Sequence, residues 1–459
     1  MQIDTSIFKA YDLRGTYPNQ INADTAYAIG RAFATFLPEK SQPVHVCVGG
    51  DMRLSTPELK KALIKGLTES GVNVDDIGVV STPTLYFAAG FFGYDGGIQV
   101  SASHNPKEWN GFKFVGPKGR PISKETGLAA MRDMITNDAL MSLASAQGQG
   151  IVRMRDDILA TELKEHLSKL HRTATKKLKI AIDAGNGMGG ADMEPLFEKL
   201  EHTIVWMNEK PDGTFPAHPA DPMVAENTQD LRKKIIDEKC DLGIAIDGDG
   251  DRYFFYDEKG QAVPQEIVRG IMARIELEAA PGGAVVYDVR PGKVTEDMIN
   301  EAGGRGVMAP VGHSLIKEVM LAEEAIFGGE SSGHFFYSFP YGVFEAPIVL
   351  VLKFLAYLTD LEEPVSSIIA PYKKYFNSGE INTHLATQGD GVTILKKLQH
   401  EYADGRHYFL DGLSVEYPDY WFSVRLSNTE PLIRFIIEAR SQELMEQKRD
   451  EVLEKIRVS

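Results

Sequence analysis

Cysteine is scarce in this sequence, and no targeting segment is visible. Only two of the 459 residues are cysteines, Cys47 and Cys240, and each lies in or beside a strand-like apolar run. Two buried-looking thiols are typical of a reducing compartment, although the sequence alone leaves a single disulfide open. The first five residues lack the basic start of a secretory or transit peptide. We therefore expect a cytoplasmic protein.

Basic residues and long hydrophobic runs are also in short supply. The chain has 49 Lys and Arg against 65 Asp and Glu, a formal net charge of −16, which argues against nucleic acid and anionic membrane as partners. The longest apolar stretch, residues 346–358, is interrupted by Lys353 and is too short to span a bilayer. It predicts a buried core helix. If the ligand is a phosphate ester, the cationic residues must be concentrated locally.

What the sequence does contain is a strand–helix pattern that recurs three times. Each repeat begins with a short apolar strand and a helix, and it ends in a strand that carries a polar signature. The opening strands are predicted at 44–48, 179–182 and 284–287, the helices at 57–70, 193–200 and 294–302, and the closing strands at 98–100, 242–246 and 325–327. This alternation predicts βαβ units with largely parallel sheets, whose ligands gather at the carboxyl ends of the strands. We therefore expect one shared cleft.

The last quarter of the chain has a different pattern. Consecutive strands are predicted at 409–415, 421–426 and 432–438, followed by a charged helix at 442–456. The predicted fold class is α/β, with three similar α/β domains of mostly parallel mixed sheets and a smaller C-terminal α+β domain. The predicted domain boundaries are 1–148, 149–256, 257–368 and 369–459.

Residues 97–106 carry the first signature. An apolar strand ends in Ser101, Ser103 and His104 before an Asn-Pro turn, so we expect Ser103 and His104 at an exposed edge between strand and turn. A serine hydroxyl beside an imidazole, with Lys113 shortly after it, is a candidate for covalent chemistry. An ordinary Ser/Asn-rich turn would have the same composition.

Residues 247–252 carry the second signature. Asp247, Asp249 and Asp251 alternate with glycines after an apolar strand, and hard oxygen ligands of this kind suit Mg²⁺ or Ca²⁺ better than zinc. An EF-hand loop would need glycine at the position of Arg252 and a preceding helix. A solvated acidic turn is the other alternative, but three close carboxylates repel one another without a counter-ion. Arg252 could neutralise part of that charge or face a phosphate.

Together these segments resemble the α-D-phosphohexomutase family, and most closely its phosphomannomutase/phosphoglucomutase group. The resemblance covers nearly the whole chain. It is carried by the phosphoserine motif at 103–106 and 110–113, the metal loop at 247–252, the sugar loop at 329–334, the phosphate loop at 425–431 and an opening match at 8–15. It implies a central cleft between the four domains. It also implies reversible phosphoryl transfer between the 1- and 6-positions of a hexose phosphate, through a phosphoserine and a hexose 1,6-bisphosphate.

The resemblance assigns roles to individual residues. Ser103 matches the phosphoserine, although the chemistry of the turn alone does not choose between Ser103 and Ser101. A Mg²⁺ ion would be held by Asp247, Asp249, Asp251 and a phosphate oxygen on Ser103. Arg14 and Arg252 would add positive charge, Lys113 would be an acid/base candidate with a lowered pKa, His104 would have a supporting role, and His334 would be a further proton-transfer candidate.

The remaining assignments concern substrate binding. Glu330 and Ser332 would bind hexose hydroxyls, next to Ser331, where close relatives often carry methionine. Arg290, where relatives carry lysine, and His313 would make further substrate contacts. The distal phosphate would be bound by Arg425, Ser427, Asn428, Thr429 and Arg434.

Three other functions compete with a mannose or glucose phosphate mutase. They are a phosphoglucosamine mutase, a Mg²⁺-dependent sugar phosphatase and a sugar-phosphate-binding protein that has lost catalysis. The expected partners are small-molecule hexose phosphates, and the sequence leaves open a monomer or a small homo-oligomer.

Overall fold

A computed structural model describes residues 3–38, 44–137, 149–168, 176–290, 292–386, 388–426 and 432–457. The chain forms two compact units, Met1–Val263 with Ser332–Ile368 and Pro264–Ser331 with Ile369–Ser459. Within the described ranges, no helix combines the length and the apolar character needed to cross a membrane.

The first α/β domain is built on a six-stranded mixed sheet. The strands are β1 (Leu13–Thr16), β2 (His45–Gly50), β3 (Asn73–Val79), β4 (Gly96–Val100), β5 (Trp109–Val115) and β6 (Val152–Met154), and the helices are α1 (Ala23–Phe36), α2 (Thr56–Glu69), α3 (Thr82–Phe91), α4 (Ala129–Thr136) and α5 (Ile158–Ser168). The sheet order is β1-β5-β4-β2-β3-β6. β2, β3, β4 and β6 are parallel, whereas β5 is antiparallel to β1 and β4. Every residue of β4 is buried, as expected for a central strand covered on both faces.

The second α/β domain has a four-stranded sheet of order β10-β9-β7-β8. Its elements are β7 (Lys179–Asp183), α6 (Gly189–Phe197), β8 (Thr203–Met207), α7 (Gln229–Asp237), β9 (Leu242–Ile246) and β10 (Tyr253–Tyr256). The edge strand β10 is antiparallel to β9, and the other pairs are parallel.

The third repeat follows the same pattern up to residue 329. Its elements are α8 (Gln265–Ala279), β11 (Ala284–Asp288), α9 (Lys293–Glu301), β12 (Arg305–Ala309), α10 (His313–Ala322) and β13 (Phe327–Gly329). β11 pairs in parallel with both β12 and β13. In the other unit, β14 (Phe335–Phe339) and β15 (Gly342–Glu345) form an antiparallel pair, followed by α11 (Pro347–Asp360) and α12 (Val365–Ile369).

The C-terminal domain is an antiparallel sheet with two helices, and its core contains side chains from the sheet and from both helices. Its strands are β16 (Phe376–Asn377), β17 (Ile381–His384), β18 (Arg406–Tyr408), β19 (Leu413–Glu416), β20 (Tyr420–Leu426) and β21 (Leu432–Ala439), and its helices are α13 (Gln388–Glu401) and α14 (Gln442–Arg457).

The structure confirms the predicted fold class and corrects some details. The apolar stretch 346–358 forms the buried helix α11. The single strand predicted at 409–415 is wrong, because this segment contains the turn between β18 and β19. Helix α13 was not predicted. Cys47 and Cys240 are both free and buried, so they do not form the disulfide that the sequence left open.

Candidate active site

Ser103 lies just beyond the carboxyl end of β4, in the turn that leads to β5. Its backbone N–H donates to the Ser101 hydroxyl over 2.9 Å. Its own Oγ donates to Asp247 Oδ2 over 3.0 Å and lies 3.1 Å from His104 Nδ1. The sequence predicted an exposed position for Ser103, and this is wrong. Ser103 is only 1% exposed, because the acidic loop, residues 247–252, packs against it.

Ser101 has different neighbours. It is completely buried, and its hydroxyl is hydrogen-bonded to the carboxyl of Asp51 as well as to the Ser103 backbone. Its polar atom is therefore used inside the domain. Of the two serines, Ser103 is the one whose hydroxyl contacts the acidic loop.

The acidic loop follows β9 and folds tightly on itself. Asp247 Oδ1 accepts the backbone N–H groups of Asp251 and Arg252 over 3.1 and 3.2 Å. A Cβ on Gly248 would lie 2.5 Å from the Ser103 carbonyl oxygen, so only glycine lets the two loops approach this closely. The fold therefore brings the Ser103 hydroxyl into contact with Asp247, one of three carboxylates whose oxygens lie within 4.8 Å of one another.

Lys113, on β5, pairs with two of these carboxylates. Its Nζ lies 2.7 Å from Asp249 Oδ2 and 2.8 Å from Asp251 Oδ2. Burial opposes the charge, but Asp249 and Asp251 raise the pKa of Lys113 well above its ordinary value. The lowered pKa expected from the sequence is wrong, because the groups that contact the ammonium are carboxylates rather than other cations.

The carboxylates keep oxygens that could accept a metal. Asp249 Oδ1 and Asp251 Oδ1 are buried and accept no hydrogen bond from the part of the chain that the structure describes. The three aspartates each offer an oxygen, and these atoms lie within 4.8 Å of one another. Burial and the charges of Asp251 and Asp249 raise the pKa of Asp247, whereas Arg252 and Lys113 oppose this shift. The three close carboxylates, with two oxygens that accept no hydrogen bond from the described residues, fit a hard divalent cation such as Mg²⁺.

Two arginines and two histidines surround this cluster. Arg14 donates to Asp12 Oδ2 over 2.7 Å and also to Asn105 in the serine loop, residues 101–108 between β4 and β5. Arg252 Nε donates to His334 Nε2 over 3.1 Å. Burial, together with the charges of Arg252 and Arg14, lowers the pKa of His104 to about 2, so its imidazole is neutral at physiological pH.

His334 and Ser332 belong to the same unit as the serine loop and the acidic loop. His334 Nδ1 lies 3.7 Å from Asp251 Oδ1 and 3.4 Å from Glu345 Oε1. Ser332 is buried, and among the described residues its hydroxyl has no hydrogen-bond partner. Of the predicted residues, this unit therefore holds Ser103, His104, Lys113, Arg14, Arg252, His334, Ser332 and the three aspartates.

Arg290, Glu330 and Ser331 lie in the second unit. Arg290 donates to Glu330 Oε1 over 2.9 Å and is also paired with Asp288. Ser331 donates from its hydroxyl to Asp288 Oδ1 over 2.9 Å, and the buried Arg269 binds the same oxygen. A methionine at position 331 could not make this hydrogen bond.

The C-terminal domain brings two of its predicted phosphate-binding residues together. Arg425 and Arg434 lie opposite each other on β20 and β21, and Glu380 bridges them at 2.5 and 2.9 Å. Burial opposes the ionisation of Glu380, but the two guanidiniums lower its pKa. Ser427, Asn428 and Thr429 lie outside the described residues. His313 is the first residue of α10 in the same unit.

Reasoning from the sequence missed Thr82 and Glu380. Thr82 is the first residue of α3, and it binds Asp249 twice: its hydroxyl donates to Oδ2, and its N–H donates to the backbone carbonyl over 3.0 Å. The Ser-Thr-Pro string at 81–83 predicts a helix start, but it carries no signal for a contact with residue 249. Glu380 lies in a polar segment that has no motif.

Comparisons with known proteins agree along the whole chain. Family models match it in order: phosphoglucomutase/phosphomannomutase alpha/beta/alpha domain I at residues 5–140, domain II at 160–260, domain III at 266–375 and the C-terminal domain at 380–455. A phosphomannomutase from Escherichia coli is 35% identical over 462 residues, which are 97% of this chain and 98% of that protein. A phosphomannomutase/phosphoglucomutase from Pseudomonas aeruginosa is 35% identical over 446 residues, 97% of this chain and 94% of that protein.

A solved structure supports the same relationship. The crystal structure of a phosphoglucomutase/phosphomannomutase family protein from Burkholderia thailandensis is 31% identical, with a TM-score of 0.90, and the match covers 100% of this chain and 98% of that one. Four family domains in order, near-complete coverage and a shared fold leave one conclusion: the chain belongs to the phosphoglucomutase/phosphomannomutase family and is a phosphohexomutase.

Proposed function

We propose that this phosphohexomutase works through a phosphorylated Ser103. The observation that carries the proposal is the 3.0 Å contact between Ser103 Oγ and Asp247 Oδ2, which joins the candidate nucleophile to the candidate metal site. The phosphoryl group would leave Ser103 Oγ and bond to a free hydroxyl of the hexose phosphate. The hexose 1,6-bisphosphate formed would turn around and return its other phosphoryl group to Ser103.

Asp247, Asp249 and Asp251 are the residues that would hold Mg²⁺. When bound, the ion would neutralise charge on the phosphoryl group in transfer. The residues themselves contribute the geometry: backbone N–H groups fix one oxygen of Asp247, and Lys113 binds one oxygen each of Asp249 and Asp251. Arg14 and Arg252 add positive charge at the edge of the cluster.

The protonation states suggest how the protons move. Lys113 is an ammonium held by two carboxylates, so it suits charge neutralisation and proton donation rather than proton acceptance. His104 is neutral, and its Nδ1 lies beside Ser103 Oγ. We propose that His104 forms a hydrogen bond with Ser103 Oγ and shares a proton with it. His334 would transfer a proton to or from the hydroxyl of the substrate.

The substrate we propose is mannose or glucose phosphate, in both the 1- and 6-phosphate forms. Glu330 and Ser332 would bind sugar hydroxyls, and Arg290 and His313 would make further substrate contacts. Arg425 and Arg434 would bind the phosphate that is not reacting, because paired guanidinium donors match phosphate oxygens. Ser427, Asn428 and Thr429 would bind the same phosphate.

The test is to incubate the protein with glucose 1-phosphate and Mg²⁺ and to measure both the glucose 6-phosphate formed and the free phosphate released. A mutase forms glucose 6-phosphate with no stoichiometric free phosphate, whereas a phosphatase releases one phosphate per substrate consumed. Ser103→Ala should abolish nearly all turnover, and EDTA should silence the wild type until Mg²⁺ is added back. Full activity after exhaustive chelation would exclude the metal role.

Side-by-side rates on mannose, glucose and glucosamine 1-phosphates identify the sugar. The proposal expects mannose or glucose 1-phosphate to have the higher kcat/KM. A clear preference for glucosamine 1-phosphate would instead favour the phosphoglucosamine mutase. The domain boundaries, the cytoplasmic location and the monomer or small homo-oligomer expected from the sequence stay predictions.

A further inference from the structure

Arg53 is a buried arginine whose guanidinium binds backbone carbonyls in and next to the serine loop. It follows β2 and is only 1% exposed. Its NH1 donates to the carbonyl oxygens of Pro106 and Trp109 over 2.7 and 3.0 Å. Its NH2 donates to those of Ser103 and Asn105 over 2.7 and 2.6 Å. One guanidinium therefore binds four carbonyls along the connection between β4 and β5.

The fifth N–H of Arg53 is also used. Nε donates to Asp51 Oδ2 over 3.2 Å, and the Arg53 backbone N–H donates to Asp51 Oδ1 over 3.0 Å. A guanidinium has five N–H donors in a fixed planar arrangement, and all five have partners here. A lysine has three donors on one atom and cannot reproduce this planar set.

The loop that Arg53 binds is held in an unfavourable backbone conformation. Ser103 has φ of 51°, in the left-handed region that is unfavourable for a residue with a side chain. The hydrogen bond from Arg53 to the Ser103 carbonyl fixes the peptide that follows this φ. In this conformation the Ser103 hydroxyl points at Asp247.

The second α/β domain covers the planar face of Arg53. The Phe215 ring centroid lies 5.1 Å from the centre of the guanidinium, a cation–π distance. A Cβ on Gly213 would lie 2.6 Å from the Met52 carbonyl oxygen, so this segment packs directly against the backbone beside Arg53. Phe215 itself has φ of 49°, an unusual value for a bulky residue.

We propose that Arg53 is a positioning residue for phosphoryl transfer, and that Phe215 fixes its orientation. Arg53 holds the Ser103 backbone in the conformation that presents Oγ to the acidic loop, without touching substrate. The inference rests on the proposed phosphoserine mechanism and deepens it. Misplacing Ser103 Oγ slows transfer to and from the serine but leaves the binding of the sugar phosphate largely intact.

The test compares Arg53→Lys and Phe215→Leu with the wild type in the full-length protein. We expect Arg53→Lys to lower kcat for glucose 1-phosphate about 10- to 100-fold with little change in KM. Phosphorylation of Ser103 by glucose 1,6-bisphosphate, followed by mass spectrometry, should slow by a similar factor. Phe215→Leu should give a smaller loss of kcat, about 3- to 10-fold. The Mg²⁺-induced shift in Tm should be retained in both variants.

Arg155→Lys is the matched control, because Arg155 also stacks on an aromatic ring, 4.2 Å from Phe92, and pairs with an aspartate. It should leave kcat unchanged. If Arg53→Lys does not fold, Phe215→Leu decides: a lower kcat at constant KM supports the inference, and an unchanged kcat overturns it.

Two further outcomes separate this inference from the function on which it rests. A folded Arg53→Lys protein with a lower Tm but normal phosphorylation kinetics would show a purely structural role and would overturn the inference alone. A wild-type protein that never carries phosphate on Ser103 would overturn the proposed mechanism itself.

Discussion

At the scale of single residues, Asp249 has two oxygens with separate tasks. Oδ2 accepts hydrogen bonds from Lys113 and Thr82, whereas Oδ1 accepts none from the described residues. A carboxylate with one oxygen fixed by hydrogen bonds presents the other oxygen in a defined direction. Hydrogen-bond partners commonly orient metal ligands in this way. We therefore expect Thr82 to orient Asp249 in the proposed metal site.

Thr82→Val should weaken Mg²⁺ binding while preserving the shape of the side chain. The variant loses the hydroxyl that orients Asp249, and we expect the Mg²⁺ concentration for half-maximal effect to rise about 10-fold. The measurement is the Mg²⁺ dependence of Tm, together with that of activity. Thr82→Ser keeps the hydroxyl and should stay close to the wild type. Identical Mg²⁺ dependence in the valine variant would remove Thr82 from this role.

The sequence predicted the residues that carry motifs but not the ones that support them. Ser103 and the aspartates lie in short strings whose composition indicates their chemistry. Thr82 and Asp249 are separated by 167 positions, and no local pattern links them. The wrong pKa direction for Lys113 has the same origin, since the sequence does not show that two carboxylates contact its ammonium.

At the scale of helices and strands, prediction worked where hydrophobic runs were unambiguous. The buried runs that form β4 and β9 and the helix α11 were found from their apolar residues alone. The run at 409–415 misled because it contains an Asp-Gly pair, a common hairpin turn, and β18 pairs with β19 around it. Apolar content alone did not show that break.

Glu438 on β21 offers a test of how a strand tolerates a buried acid. It is 1% exposed and accepts a hydrogen bond from Trp421 Nε1 over 2.6 Å. Burial raises its pKa to about 7, and the nearby Glu266 adds to the shift. In the unfolded chain the carboxyl ionises near its ordinary value of 4.5. Between these values the folded state holds the extra proton, so stability contributed by this group falls as the pH rises.

The free energy of unfolding of Glu438→Gln, compared with that of the wild type, should therefore be higher at pH 8 than at pH 5. The amide keeps an acceptor for Trp421 but cannot ionise, and the gain in free energy of unfolding should grow by about 2–3 kcal/mol across this range. Thermal unfolding of both proteins from pH 5 to pH 8 measures it. Glu443→Gln, which changes an exposed carboxyl in the same domain, should show no such trend. A gap between variant and wild type that is constant with pH would contradict the assignment.

At the scale of the whole molecule, the chain combines three domains of related architecture with a fourth that has its own core. The sequence predicted this division because the strand–helix repeat stops in the last quarter. The formal charge of −16 coexists with local concentrations of arginine and lysine, as a phosphate ester requires. Arg425 and Arg434 on neighbouring strands are one such concentration.

Arg425→Ala tests the role of the C-terminal domain in the complete enzyme. The same arginine would serve glucose 1-phosphate and glucose 6-phosphate, because the bisphosphate turns around between the two transfers. We expect kcat/KM to fall about 10- to 100-fold in both directions, with phosphorylated Ser103 still present. The measurement is steady-state kinetics in each direction, with the mass of the protein recorded alongside.

Arg406→Ala is the control for that variant, since Arg406 is a largely exposed arginine of the same domain. It should behave like the wild type. Normal kinetics in Arg425→Ala, or complete loss of its phosphoserine, would mean that this domain does not bind the distal phosphate.

The identity of the phosphoryl carrier tests the central claim most directly. The wild-type protein should be incubated with glucose 1,6-bisphosphate and Mg²⁺, and the phosphorylated residue should then be located by peptide mass spectrometry. The account predicts one phosphate on Ser103 that passes to glucose 1-phosphate when that substrate is added, and no phosphate in Ser103→Ala. Phosphate on Ser101, or an active enzyme that never becomes phosphorylated, would contradict it.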